Sequence, residues 1–325
     1  MGVETTSWRD GAMPTLSVFA RDFGGSFARL NRMHQLDVTE DQVLKFAMTM
    51  GLPALAVASP TLQHAVTLAC YKMLAIKCAI DFTGSELARP SEYDDMDATE
   101  KANISYWTGM TLASLVADEL LGVAQLTHAE SLRKMGFLTG TRTSRSLADL
   151  VGSDNGGAMH VVEAKARQGG VSQQVHGRWK AQARSVASVQ GQPPATNSYA
   201  FTRVGTPYSV ELVDPPAEKE PQSVSYMLTD GAVVSGYYGP IMGWLAETQA
   251  AQRARSHREG HALILQRAAF DAVSNNFVFF GMTAEAFEQV QANVVPDRRQ
   301  PMKLADGYLG SDGVVIVTSP NPDLT

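Results

Sequence analysis

Apolar residues recur at helical spacing along most of the first 135 positions, after which the period shortens to that of strands. Thr39-Glu40-Asp41 sets a cap and two acids ahead of Val43, Leu44, Phe46 and Ala47, which predicts a helix start. Pro60 and Thr61 open a second run, in which Leu62, Val66, Ala69, Met73 and Ile76 share a face. The acidic stretch 92–100 leads into Ile104, Trp107, Leu112, Leu115, Val116 and Leu120, and Gly122 punctuates that run. Residues 126–135 predict one more helix.

Two short runs, 147–151 and 159–164, flank the turn sequence GSDNGG and predict a hairpin. Ser172 can cap a helix expected to reach Val189, with Gly191 as the stop. Residues 197–204 and 208–213 predict two further strands joined by Gly205-Thr206-Pro207, and Pro215-Pro216 closes the unit. Farther on, 238–256 and 260–272 read as helical. Residues 276–280 read as a strand before a Thr283-capped helix through Val290, and 313–318 as a late strand. The order predicts an α/β (α+β) chain in three parts. These are a mostly helical region (1–135), a core with a small mixed sheet flanked by helices (136–216), and a smaller α/β appendage (217–325) that begins with a Pro-bounded linker, 217–222.

Composition narrows the classes. A chain of 325 residues, 44% hydrophobic and 18% charged, can bury a substantial core. It holds no run of about 18 apolar residues, so no membrane partner is expected. Glu4, Trp8, Arg9 and Asp10 stand where a signal peptide needs an apolar block. Cys70 and Cys78 lie about two helical turns apart, too far for a disulfide within one helix, and two cysteines alone do not make a zinc site. Both are expected to be buried small residues in a reducing cytoplasm. The net charge of −6 is unevenly spread. From Arg133 to Arg184 nine Lys/Arg face three acids, a balance of +6 that leaves −12 for the remainder. A basic segment in an acidic chain suits a local polyanion site; the competing reading is a solvated face.

The hairpin carries the chemistry. Asp149 stands at its first run and Glu163-Ala164-Lys165 in its second. Strand alternation points Glu163 and Lys165 the same way, with Asp149 opposite or diagonal to Glu163. Paired carboxylates repel unless a cation neutralises them, and hard oxygen donors favour Mg2+ or Mn2+. Ala164 would add a backbone carbonyl as a ligand, and Lys165 would orient water or stabilise charge growing on a phosphate. The competing reading is a surface ion pair between Glu163 and Lys165.

These residues resemble the PD-(D/E)xK, or restriction-endonuclease-like, nuclease superfamily. The match is LAD ending at Asp149 and VEAK, which contains Glu163 to Lys165, with thirteen residues between the acids. It covers about a quarter of the chain, and Ala148 stands where the superfamily's name has Pro. The resemblance implies that Asp149 and Glu163 bind the metal and that Lys165 is catalytic, in a bacterial defence or repair nuclease acting on DNA. It also implies a polar residue from the following helix beside the metal. Gln182 is that candidate, on a stripe with Val175, Trp179, Val186 and Val189; a Gln bonded to nearby backbone is the alternative. Arg142, Arg145, Arg178 and Lys180 are candidates for nucleic-acid phosphates.

Glu130 could supply a further acid, although a solvated helix glutamate reads as well, and His160 and His176 read as surface or capping residues. No phosphate loop and no Gly-x-Ser-x-Gly elbow is present. Two other functions fit the same pattern. One is a catalytically silent nuclease-like fold that binds nucleic acid or serves as an assembly subunit. The other is a structural protein whose helical N-terminal region mediates self-association or holds a partner protein.

Overall fold

The computed structural model describes residues 13–59, 61–140, 148–216, 224–229, 231–247, 253–272 and 274–321. The chain is a mixed α/β protein. Its first described elements are strands: β1 (Thr15–Arg21) and β2 (Met33–Asp37), antiparallel to each other. Within the region read as mostly helical (1–135), residues 15–21 and 33–37 are strands. Leu16, Val18 and Ala20 are buried while their neighbours face outward, which is the two-residue period of a strand. Three helices follow where expected. They are α1 (Glu40–Ala58) with its Thr39 cap, α2 (Leu62–Cys78) with its Thr61 cap, and α3 (Ala98–Val116), which starts in a capping box of Asp97 and Glu100. Gly122 adopts the left-handed conformation that ends the following π-helical turn. Cys70 is buried as expected, whereas Cys78 is exposed because the last turn of α2 turns it outward.

Next come β3 (Thr127–His128), α4 (Ala129–Lys134), β4 (Leu138–Gly140), β5 (Leu150–Ser153) and β6 (Met159–Arg167). The hairpin of β5 and β6 forms as expected, with Leu150 opposite Val162. It is followed by α5 (Gln173–Ala183), β7 (Val186–Val189), β8 (Thr196–Arg203) and β9 (Ser209–Val213). The helix expected to reach Val189 stops at Ala183. Val186 and Val189 are buried as alternate residues of a strand rather than on a helical stripe. β7 lies in a small sheet, between the end of α5 and β10 (Val224–Leu228), with β4 on the other side of β10.

The central sheet has the order β2-β1-β9-β8-β6-β5-β3, so it draws strands from residues 15–37 and 127–128 as well as from the expected core. Within it β6 runs parallel to β8, and α5 lies in the connection between them. The two faces of the sheet differ. On one, Ala164, Ala166 and Ala200 are small enough for α3 to press close. On the other, Tyr199 and Phe201 stack with Trp179 of α5.

The remainder is α6 (Ala232–Glu247), β11 (Arg253–Arg258), β12 (His261–Asp271), β13 (Asn276–Thr283), α7 (Ala284–Gln291), β14 (Met302–Leu304), β15 (Gly307–Leu309) and β16 (Val314–Ser319). β11 to β16 form one antiparallel sheet. The helix read over 260–272 is therefore a strand, and the one read over 238–256 ends at Glu247. β13, the Thr283 cap of α7 and β16 form as the sequence predicts. Lys45 of α1 reaches Asp312, beside β16, in a fully buried ion pair of 2.8 Å, which ties this sheet to the helices. Among the described residues, no helix is long and apolar enough to cross a membrane.

Candidate active site

The pairing of β5 with β6 ends at Leu150 and Val162, and the acids stand just beyond that point. The amide of Asp149 donates to Glu163 Oε2 at 3.2 Å, and the amide of Ala164 donates to Asp149 Oδ2 at 3.0 Å. The side chains thus continue the ladder where the backbone of β5 leaves it. Lys165 donates to Glu163 Oε1 and lies 3.6 Å from Asp149 Oδ2. Asp149, Glu163 and Lys165 therefore converge as the spacing predicts, with the ammonium near both carboxylates. In a strand, the N–H and C=O of one residue point to the same side. Since the N–H of Ala164 meets Asp149, its carbonyl also faces the side of β6 that β5 has vacated.

The site is an electrostatic compromise. Glu163 is 0% exposed, and its carboxyl is pushed up to about 8 by burial first and the charge of Asp149 second, against the pull of Lys165. Two carboxylates and a carbonyl are hard oxygen donors, the set that suits Mg2+ or Mn2+. Among the described residues no group of three or more His, Cys, Asp and Glu converges. A divalent ion would hence need the Ala164 carbonyl together with solvent or substrate oxygens.

Three groups that the sequence analysis missed surround the acids. Tyr226, from β10, accepts the N–H of Ala148 at 3.0 Å and so fixes the residue before Asp149. Its phenol is pushed up to about 12, mainly by burial, with the charges of Glu163 and Asp149 adding to the rise. His128 of β3 is pushed down to about 4 by burial despite the charge of Asp149, so it is neutral at ordinary pH. Tyr106 of α3 is raised by burial and by the charges of Asp149 and Glu163. All three come from distant parts of the chain, and no local motif marks them.

A fourth signal was legible. Arg167 stands two residues after Lys165, on the same face of β6, and its register partner on β8 is Arg203. Both arginines are exposed, and neither has an acid partner among the described residues. Like charges directly opposite each other destabilise a sheet unless an anion lies between them.

The other candidates lie as follows. Gln182 is half-buried in the last turn of α5. Arg178 is exposed, while Lys180 pairs with Asp22 at 3.0 Å. Arg142 and Arg145 lie outside the described residues. Glu130 holds Arg133 in a fork on α4. His160 is not on the surface: it is fully buried, 2.9 Å from Thr196 Oγ1, because it sits on an inward position of β6. His176 meets the Tyr199 hydroxyl at 3.1 Å. No family model matches the chain, and neither a curated protein nor a solved structure matches it.

Proposed function

We propose that this chain is a metal-dependent nuclease that hydrolyses phosphodiester bonds, with DNA as its substrate, as the resemblance to PD-(D/E)xK nucleases implies. One observation carries the reading: the side chains of Asp149, Glu163 and Lys165 meet at the Ala164 amide, where β6 outlasts its partner strand. Asp149, Glu163 and the Ala164 carbonyl would hold Mg2+ or Mn2+, which polarises a phosphate and lowers the pKa of bound water.

The chain's own groups prepare the reaction. Tyr226, through Ala148, and the two hydrogen bonds donated by the Asp149 and Ala164 amides hold the acids in place, so little reorganisation is needed when substrate arrives. Lys165 compensates the carboxylates in the free protein. Beside a metal held by these carboxylates, it would orient the attacking water or meet the charge that grows on the phosphoryl oxygens. Arg167 and Arg203 can bind a flanking phosphate, a contact that positions substrate without reading sequence. Gln182, Arg178 and Lys180 on α5 are further candidates along that side. A cytoplasmic setting fits the two free cysteines.

The second reading is a catalytically silent nuclease-like fold that binds nucleic acid or serves as an assembly subunit. The full burial of Glu163 and its bond to Lys165 favour it, since both lower the tendency to capture a cation. Cleavage assays decide between the two. Wild-type protein should cut DNA with Mg2+ or Mn2+, and Lys165→Ala should abolish cutting. Inertness of the wild type on single-stranded DNA, duplex DNA and RNA with either metal would overturn the nuclease reading.

A further inference from the structure

Helices α2 and α3 carry an aromatic surface that the cleavage reading does not use. Tyr71 of α2 is 62% exposed and Tyr106 of α3 is 50% exposed. The Tyr71 ring meets Trp107 edge-on with centroids 6.1 Å apart, and the Lys72 ammonium sits 5.4 Å over the Trp107 ring. Trp107 packs against the core as well, so the patch has a fixed centre with tyrosines open to solvent.

Two routes connect this patch to the acids. At Gly109, α3 presses onto β6 from the face opposite the Glu163 and Lys165 side chains: a Cβ there would stand 2.6 Å from the Ala166 Cβ and 3.4 Å from the Lys165 backbone carbonyl. Tyr106 lies three residues earlier, on the same face of α3, and its phenol feels both carboxylates. On the other route, His128 pairs with Leu150 next to Asp149, the Ala129 amide donates to the Asp149 carbonyl at 3.1 Å, and the His128 ring feels the charges of both Asp149 and Lys72.

We propose that Tyr71, Tyr106 and Trp107, with Lys72, form a stacking platform for unpaired nucleotides, so that the strand delivered to Asp149 and Glu163 is single-stranded. The proposal rests on the nucleic-acid reading of the site. Duplex bases hide their faces, whereas every unpaired base offers one to an aromatic ring. Lys72 supplies positive charge beside the rings for the backbone that links those bases.

The test separates binding from cutting. Anisotropy of a labelled oligodeoxythymidylate, measured in EDTA, should show tighter binding than a duplex of equal length. Replacing Tyr71→Ala and Tyr106→Ala together should weaken single-strand binding by about tenfold or more, in line with alanine substitution at stacking sites. Tyr71→Phe with Tyr106→Phe keeps the rings and should retain the affinity. The proposal is overturned if the alanine variant binds the single strand like wild type, or if duplex binds as tightly. It is also overturned if the alanine variant changes only the oligomeric state in sedimentation. A protein that binds single strands through these rings yet cuts nothing with Mn2+ refutes the nuclease, not the platform. Cutting that persists with binding unchanged in the alanine variant refutes the platform, not the nuclease.

Discussion

The carboxylate of Asp149 accepts the amide of Ala164 at 3.0 Å, so an acid side chain closes the sheet where β5 ends. The contact fixes the acid and turns the Ala164 carbonyl to the same side of the strand. It predicts that the two obvious substitutions at Asp149 differ. Asp149→Asn keeps an acceptor and should fold with near wild-type stability. Asp149→Ala removes a hydrogen bond to a charged group, a loss of about 1.5–3 kcal/mol. Urea unfolding of the two variants measures the difference, and equal stabilities would remove the structural role.

Glu163 sets a pH dependence. Its folded-state carboxyl is raised to about 8 by burial and by Asp149, above its ordinary value of 4.5. Between those values the folded state binds more protons than the unfolded one, so its contribution to stability is present at low pH and is lost as pH rises towards 8. Without divalent metal, the difference in melting temperature between wild type and Glu163→Gln should change across that window, with the glutamine variant gaining relative to wild type as pH rises. A constant difference from pH 5 to 8 would contradict the buried, raised carboxyl.

Metal binding should release protons. A cation at Asp149 and Glu163 requires both as carboxylates, while burial and the charge of Asp149 favour the protonated form of Glu163 in the free protein. Calorimetric titration with Mn2+ should give heats that scale with the ionisation enthalpy of the buffer, and Asp149→Asn with Glu163→Gln should abolish them. Identical heats in the double variant would place the ion elsewhere.

Arg167 and Arg203 are register partners on β6 and β8 with no acid between them among the described residues. Arg167→Gln should therefore leave the melting temperature unchanged or raise it while weakening nucleic-acid binding. The slope of log affinity against log salt should fall by about 0.7–0.9 for the lost phosphate contact. An unchanged slope would take Arg167 out of the interface.

The Lys45–Asp312 pair is fully buried, and Tyr237 also donates to Asp312. Lys45→Met leaves a buried carboxylate without its cation, a loss of about 3–5 kcal/mol. Guanidinium unfolding tests this, and a loss below about 1 kcal/mol would show that solvent reaches the pair.

By itself the sequence determined the α/β character, the caps at Thr39, Thr61 and Thr283, and the hairpin that aligns Asp149 with Glu163 and Lys165. Capping and strand alternation are local, so neighbouring residues suffice to specify them. Arg167 was equally legible, two places beyond Lys165. Tertiary structure alone decided that residues 15–37 join the central sheet, that β12 is a strand, and that Tyr226, His128 and Tyr106 gather around the acids. Short apolar runs suit a strand or a buried helix equally well, and packing partners far along the chain settle which one forms. Burial does the same for chemistry: the sequence names a carboxyl at Glu163, but only the elements closing over it raise its pKa.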